Sequence, residues 1–329
     1  MTNQDQSVGA LGEAAVLAAI LEVLRPASRA AVGPGDDAAV LDAATGRVVA
    51  TVDTLVHGPD FRLAWSTGYD LGWKSAAVNL ADIAAMGARP TALLVALTVP
   101  EDTPLPLLTD MAEGLKDACA ALAPGCAVEG GDLAVSPTLT IAVTAIGLLD
   151  GTAVLRSGAR PGDVLALAGD AGCAAAGLRI LFDRFRDAAG NPIAVDASSL
   201  SVPERAQLAA QLRPEPPIGR GPVAARGGAT AMMDVSDGLA LDASRMATAS
   251  RVTLDIAAAA LGDDPATALS GGEDHALLAA FPPELALPRG FRRIGVVLPR
   301  GETAVLVDGT PYAGRGGWDP YREWDAAQG

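Results

Sequence analysis

Histidine is almost absent from this chain. His57 and His275 are the two it has, so a His-rich metal centre or a Ser-His-Asp triad has little material to draw on. Cysteine is nearly as scarce: Cys119, Cys126 and Cys173 are odd in number and form no CxxC pair. That argues against a disulfide framework or a zinc site and fits buried, inert thiols in a reduced compartment. Positive charge is also short. With 24 Lys and Arg against 39 Asp and Glu, the formal net charge is −15, the wrong sign for a nucleic-acid surface. An anionic substrate would then need metal ions. No GxxxxGK[ST] segment occurs, so the Walker lysine mechanism is missing. No apolar run approaches the ~20 residues of a membrane span, and the N-terminus lacks the basic-then-apolar pattern of a secretory signal. The expectation is a soluble cytoplasmic protein.

What the chain does have is small apolar side chains. Half of its 329 residues are apolar while aromatics are 4%, and the excess is Ala, Val and Leu, which suits helices packed closely on a sheet. The length favours two domains. Apolar spacing of three and four predicts a helix from Gly12 to Leu24, followed by a loop from Val32 to Asp37. Strands are predicted at Arg47 to Val52, Ala92 to Val99, Cys126 to Glu129 and Leu139 to Leu148, with helices at Leu71 to Met86 and Leu105 to Leu122. The Gly- and Pro-rich stretch from Asp150 to Asp163 marks a boundary, giving domains 1–150 and 151–329. Beyond it, strands are predicted at Val164 to Ala168, Thr230 to Met233 and near Val252 to Ile256, and a further apolar run extends from His275 to Phe281. Helices fall around Ala174 to Phe182, Glu204 to Leu212 and from Leu239, and a hairpin-like turn at Asp308-Gly309. The fold class is α/β with mixed sheets.

Acidic residues recur beside glycine or small residues at the ends of apolar runs: Asp36-Asp37, Asp53, Gly130-Gly131-Asp132, Asp234-Val235-Ser236-Asp237-Gly238 and Gly271-Gly272-Glu273-Asp274. Each alone is an ordinary turn or cap. Together they suit Mg²⁺, which keeps several waters and shares one or two carboxylates with substrate phosphates. Asp234, Ser236 and Asp237 also precede a predicted helix, whose free N–H groups favour anions. Asp82 stands in a nearly all-apolar helix, where a carboxylate is costly unless paired or metal-bound; a metal or Lys74 could satisfy it. Arg156 is either a phosphate contact or a solvated loop arginine. Trp318 either stacks on a flat ligand ring or anchors the tail.

These motifs, in this order, resemble the thiamine-monophosphate kinase family: Gly35-Asp36-Asp37-Ala38-Ala39-Val40, Asp53-Thr54-Leu55-Val56, Lys74 with Asn79-Leu80-Ala81-Asp82 and Met86-Gly87-Ala88, Gly130-Gly131-Asp132, Arg156-Ser157-Gly158-Ala159, Asp234 to Leu239 and Ser270 to Asp274. The resemblance implies a two-domain aminoimidazole ribonucleotide synthetase-like fold whose N-terminal sheet forms a homodimer interface, with the nucleotide held between domains. By motif, Asp37, Thr51, Asp53, Asp82, Asp132, Asp234 and Asp237 would bind several Mg²⁺ ions. Gly131, Asp132, Arg156 and Ser236 would meet ATP, and Asp60, Glu273 and Trp318 would meet thiamine monophosphate. Asp82 and Asp237 would matter most for catalysis. Val52 stands where a hydroxyl residue is expected, Asp60 where histidine often precedes Phe61, and His275 where an aromatic is common.

The implied reaction is in-line transfer of the ATP γ-phosphoryl group to an already ionised phosphate, which needs alignment and charge neutralisation more than a general base. Neither nucleic acid nor membrane is an expected partner. The rivals are an ATP-dependent ligase of the aminoimidazole ribonucleotide synthetase type and a non-catalytic nucleotide-binding homologue.

Overall fold

The computed structural model describes residues 31, 39–43, 46–314 and 316–317. The predicted Gly12 to Leu24 helix, the 32–37 loop with Asp37, and Trp318 lie outside them.

The first sheet has five strands: β1 (Ala39–Ala43), β2 (Gly46–Val56), β3 (Arg89–Val99), β4 (Ala127–Val135) and β5 (Thr140–Leu149), in the order β1-β2-β5-β3-β4. All pairs are antiparallel except β3–β4. Along β5 burial alternates strictly, with Ile141, Val143 and Ala145 facing inward, because successive side chains leave a strand on opposite faces. The inward face is covered by α1 (Gly68–Ala85) and α2 (Leu105–Leu122); among the described residues nothing covers the other face.

Thr67 starts α1 with a capping box. Its hydroxyl accepts the Asp70 N–H at 3.2 Å, and the Asp70 carboxylate accepts the Thr67 N–H at 2.9 Å. Such a cap stabilises a helix by about 1 kcal/mol. The two helices approach until Gly72 and Gly114 meet the opposite backbone. A Cβ on Gly72 would come within 2.0 Å of the Met111 carbonyl oxygen, and one on Gly114 within 2.1 Å of that of Tyr69. Only glycine allows this contact.

The second sheet contains β6 (Val164–Ala168), β7 (Ala231–Val235), β8 (Val252–Ile256), β9 (Ala276–Phe281), β10 (Phe291–Pro299), β11 (Val305–Val307) and β12 (Thr310–Pro311), in the order β12-β11-β8-β10-β6-β9-β7. Its helices are α3 (Cys173–Arg184), α4 (Val202–Leu212), α5 (Arg220–Arg226), α6 (Leu239–Ser250) and α7 (Pro265–Ser270). Asp308 and Gly309, both with positive φ, turn β11 into β12, as the Asp-Gly pair predicts. The sequence pattern did not reveal β1, β10, α5 or α7.

Helix α1 joins the two halves. It packs on β2 and β5 on one side and on β7 and β9 on the other, which is why Leu71, Leu80 and Ile83 are all buried. Ala85 belongs to the same apolar cluster as Ala168, Met232, Leu277 and Phe281 of the second sheet. Cys119 and Cys126 are buried together as expected, whereas Cys173 is partly exposed. Among the described residues no helix is long and apolar enough to cross a membrane.

Candidate active site

Two predicted boundaries shift in a way that matters for chemistry. β2 runs on past Val52 to Val56, and β4 runs past Glu129 to Val135. Asp53 and Asp132 are therefore strand-interior residues, and pleating decides where they point. Asp53 pairs with Val143, Val143 with Val95, and Val95 with Gly131, so all four share one row on the helix-covered face. Asp132 belongs to the next row, with Thr54, Ala142 and Ala96, on the bare face. The same rule turns Val52 outward, where it is 59% exposed, so its departure from the family pattern leaves the inward carboxylates untouched. A Cβ at Gly131 would lie 2.1 Å from the Val95 carbonyl oxygen, so no side chain fits there.

On the covered face, β2 meets α1. The Thr51 hydroxyl donates to the Asp82 carboxylate at 2.7 Å, and the Asp53 N–H donates to Asn79 Oδ1 at 2.9 Å. Asn79 is held in turn by its own donation to the Ser75 carbonyl at 2.9 Å. Lys74 does not turn to Asp82. Its Nζ reaches Glu273 from the second half of the molecule at 2.7 Å, and Gln211 of α4 donates to the same Glu273 oxygen at 2.5 Å. The other Gln211 side-chain atom, Oε1, is buried and accepts no hydrogen bond.

The second half presents its own acids across the seam. Asp234, in β7, is buried and lies 3.0 Å from Nδ1 of the buried His275. Asp237 follows the strand and pairs with Arg245 at 2.5 Å; Asp242, fully buried in the first turn of α6, pairs with the same arginine at 2.7 Å. Asp242 also accepts the N–H groups of Asp237 and Gly238 at 3.0 and 3.2 Å. Burial, with the Asp237 charge beside it, pushes Asp242 up to about 7. Glu273 and His275 both have positive φ, at 68° and 52°, a conformation costing roughly 1 kcal/mol or more per non-glycine residue. Asp274 between them turns away and accepts the Gly172 and Ala174 N–H groups at the start of α3, at 2.6 and 2.8 Å.

The electrostatics show that these groups face one another. Burial first, then the charge of Asp234 and, less strongly, those of Asp237 and Asp60, raise the Asp53 carboxyl above its usual range, against the opposing pull of His275. Asp60, fixed by accepting the Val56 N–H at 2.7 Å, is raised by burial and by Glu273. For Glu273, burial opposes ionisation, but the Lys74 ammonium and the hydrogen bonds from Lys74 and Gln211 outweigh it and hold the carboxyl low. For His275, burial opposes protonation, but the bond and charge of Asp234, with Glu273 and Asp53 behind it, raise the ring above its usual range. Histidine, set aside on its scarcity, is thus part of the cluster.

Of the predicted residues, the seam gathers Thr51, Asp53, Asp60, Asp82, Asp234, Asp237 and Glu273. Ser236 adjoins it through its carbonyl, which accepts the Glu273 N–H at 2.7 Å. Arg156 lies at the far end of α6, where its carbonyl accepts the Ser250 hydroxyl at 2.7 Å. Asp37 and Trp318 are outside the described residues, but Gly317 packs against the Asp237 carbonyl. Asp242 and Arg245 join the site without being among the residues expected from sequence, although their i,i+3 spacing directly after Asp237-Gly238 is a usable signal.

A donor set of carboxylates and one hydroxyl is hard and all-oxygen, which fits Mg²⁺ rather than a softer metal. Among the described residues no three of these groups close into a cage. That also fits an ion that takes one or two carboxylates and completes its shell with water and phosphate oxygens.

The N-terminal domain model of AIR synthase related proteins matches residues 35–149. Thiamine-monophosphate kinase of Mycobacterium tuberculosis (strain H37Rv) is 41% identical over 348 aligned positions, covering 99% of this chain and 98% of the relative. This chain belongs to the thiamine-monophosphate kinase family. The Corynebacterium glutamicum member is 39% identical, with 95% and 94% covered. Among solved structures, AaThiL complexed with AMPPCP and TMP matches with a TM-score of 0.83 at 30% identity, covering 95% of this chain and 98% of that one. Hydrogenase maturation protein HypE in complex with ATP, 21% identical with a TM-score of 0.60, shares the fold.

Proposed function

We propose that this protein transfers the γ-phosphoryl group of ATP directly to the phosphate of thiamine monophosphate, giving ADP and thiamine diphosphate. The observation that carries this reading is the convergence of Asp53, Asp60, Asp82, Asp234, Asp237 and Glu273 at the seam, in a chain 41% identical along its length to a thiamine-monophosphate kinase. Asp37, Thr51, Asp53, Asp82, Asp234 and Asp237 are the groups that would hold Mg²⁺; Asp132, expected with them, points to the opposite face of the first sheet and is left out of this set. When bound, the metal would supply positive charge against two polyanions brought together. The chain's own work is positioning. Thr51 orients the Asp82 carboxylate, Asn79 fixes the backbone at Asp53, and Asp242 with Arg245 fixes Asp237. Glu273, kept ionised by Lys74, gives the cationic thiazolium of the acceptor a counter-charge, next to Asp60. Gly131, Arg156 and Ser236 are assigned to ATP, and Trp318 to the acceptor.

A homodimer through the bare face of the first sheet is part of the proposal. Val52 and Leu94 are 59% and 41% exposed there, with Ile146 on the same face. An apolar face of this kind is a usual assembly surface. Asp132 lies on that face, so in the dimer it looks toward the second copy. We assign residues 1–150 and 151–329 as the two domains, supported by the first sheet closing at Leu149 and the next strand opening at Val164. A cytoplasmic setting, where ATP and reduced thiols are available, completes the reading.

Incubation with ATP, Mg²⁺ and thiamine monophosphate, followed by chromatography, tests it: thiamine diphosphate and ADP should form in equal amounts. ATP turnover only with a formylglycinamidine-type acceptor would assign the ligase activity, and no turnover with either acceptor would leave a binding protein.

A further inference from the structure

The segment after β2 meets the segment after α3 at an apolar cluster that includes Trp65, Leu181, Phe185 and Leu208. Two arginines sit on it. The Arg62 guanidinium carbon is 5.0 Å from the Trp65 ring centre and 5.3 Å from that of Phe182; the Arg186 guanidinium carbon is 5.5 Å from the same Phe182 ring. Trp65 and Phe182 meet edge to face at 5.1 Å. Aromatic faces attract cations, but two cations on one ring also repel each other. Burial, with the Arg186 charge added, holds Arg62 below the usual arginine range.

In a chain with net charge −15, the ordinary remedy is a carboxylate placed between the arginines. Among the described residues neither arginine has one within ion-pair distance. The carboxylates nearest in sequence are committed elsewhere. Asp60 accepts the Val56 N–H, and Asp187 accepts from Ala189 and Asn191. Both guanidinium groups are nonetheless held in place, Arg62 against its two rings and Arg186 by donating from Nε to the Gly190 carbonyl at 2.6 Å. Uncompensated, positioned forks are the group that recognises phosphate.

We propose that Arg62 and Arg186 form a binding site for a phosphate-type oxyanion on the seam between the two halves, separate from the carboxylate cluster. One arginine comes from each side, so a bound oxyanion ties the sides together. It also steadies the 57–65 turn that carries Asp60. The source of the oxyanion is either free phosphate or pyrophosphate, or the phosphate of an ester. The site is independent of which acceptor the carboxylate cluster serves.

Calorimetric titration of the full chain in EDTA isolates this site, because without divalent ions the acidic cluster repels phosphates. Pyrophosphate and phosphate should bind saturably. Arg186→Gln should weaken that binding more than tenfold at an unchanged melting temperature of the unliganded protein. Arg186→Lys, which keeps the charge without the fork, should fall between. Tighter binding of thiamine monophosphate than of free phosphate would assign the source to the ester, and equal or weaker binding to the free anion. Absence of saturable binding at millimolar pyrophosphate, or binding equal in wild type and Arg186→Gln, overturns the proposal.

Discussion

The two faces of the first sheet are built from the same strands and do different things. On β2, Thr51 and Asp53 point under α1 into the acidic seam, while Val52 between them points out onto a bare apolar surface. One face concentrates charge that must be offset, and the other, which carries Asp132, is the face of the proposed dimer. The period of two in a strand keeps these functions apart within three consecutive residues. A reader of the linear motif Thr-Val-Asp would treat them as one site.

That division can be broken from either side. The largest effect is expected from Asp53→Asn or Asp82→Ala, which should each lower kcat by about 10²–10³-fold, the scale for losing one electrostatic contact to a transition state. Circular dichroism and the sedimentation coefficient should not change. If either variant also weakened the proposed self-association, the two faces would not be independent. Next, Val52→Lys places a charge on the bare face without touching Thr51 or Asp53. Self-association should weaken by about 10²-fold or more, as expected when a charge is forced into an apolar contact. Analytical ultracentrifugation over a dilution series reads this directly, and an unshifted monomer–dimer midpoint would remove the bare face from the interface. The smallest effect is expected from Lys74→Met. Loss of one charge-assisted hydrogen bond is worth about 1.5–3 kcal/mol when buried. With Glu273 partly open to water, about a tenfold rise in KM for thiamine monophosphate should result. A fall in kcat with KM unchanged would show that Lys74 acts on the transfer step instead of on acceptor binding.

Much of this architecture could be read in the sequence, and what could not has identifiable causes. The α2 boundaries, Leu105 and Leu122, followed from periodicity and the Pro and Gly that flank the helix. β6 and β8 were equally clear as short apolar runs bounded by turns. β10 was hidden because Arg292, Arg293 and Gly295 interrupt its apolar pattern. α5 and α7 are single short helices, too brief to show a period. For the candidate site, local motifs nominated Asp53, Asp82, Asp234, Asp237 and Glu273, since each stands against an apolar or glycine-rich background. Which face Asp132 occupies depends on the register of β3 against β4, including the bulge at Leu93/Leu94, and register is a property of two strands. The Lys74–Glu273 pair joins residues far apart in the chain, so no window of sequence contains it. The i,i+3 pairing of Asp242 and Arg245 is local and legible, but their role in holding Asp237 shows only once the turn between β7 and α6 is folded.

Two tryptophans of the first half anchor themselves in the second. Trp65 Nε1 donates to the Phe185 carbonyl at 3.0 Å, and Trp73 Nε1 donates to the Pro214 carbonyl at 2.8 Å. An indole that loses such an acceptor and gains water changes its emission wavelength. The joint between the halves therefore carries its own pair of optical gauges, and any hinge movement on nucleotide addition can be followed in the unlabelled protein.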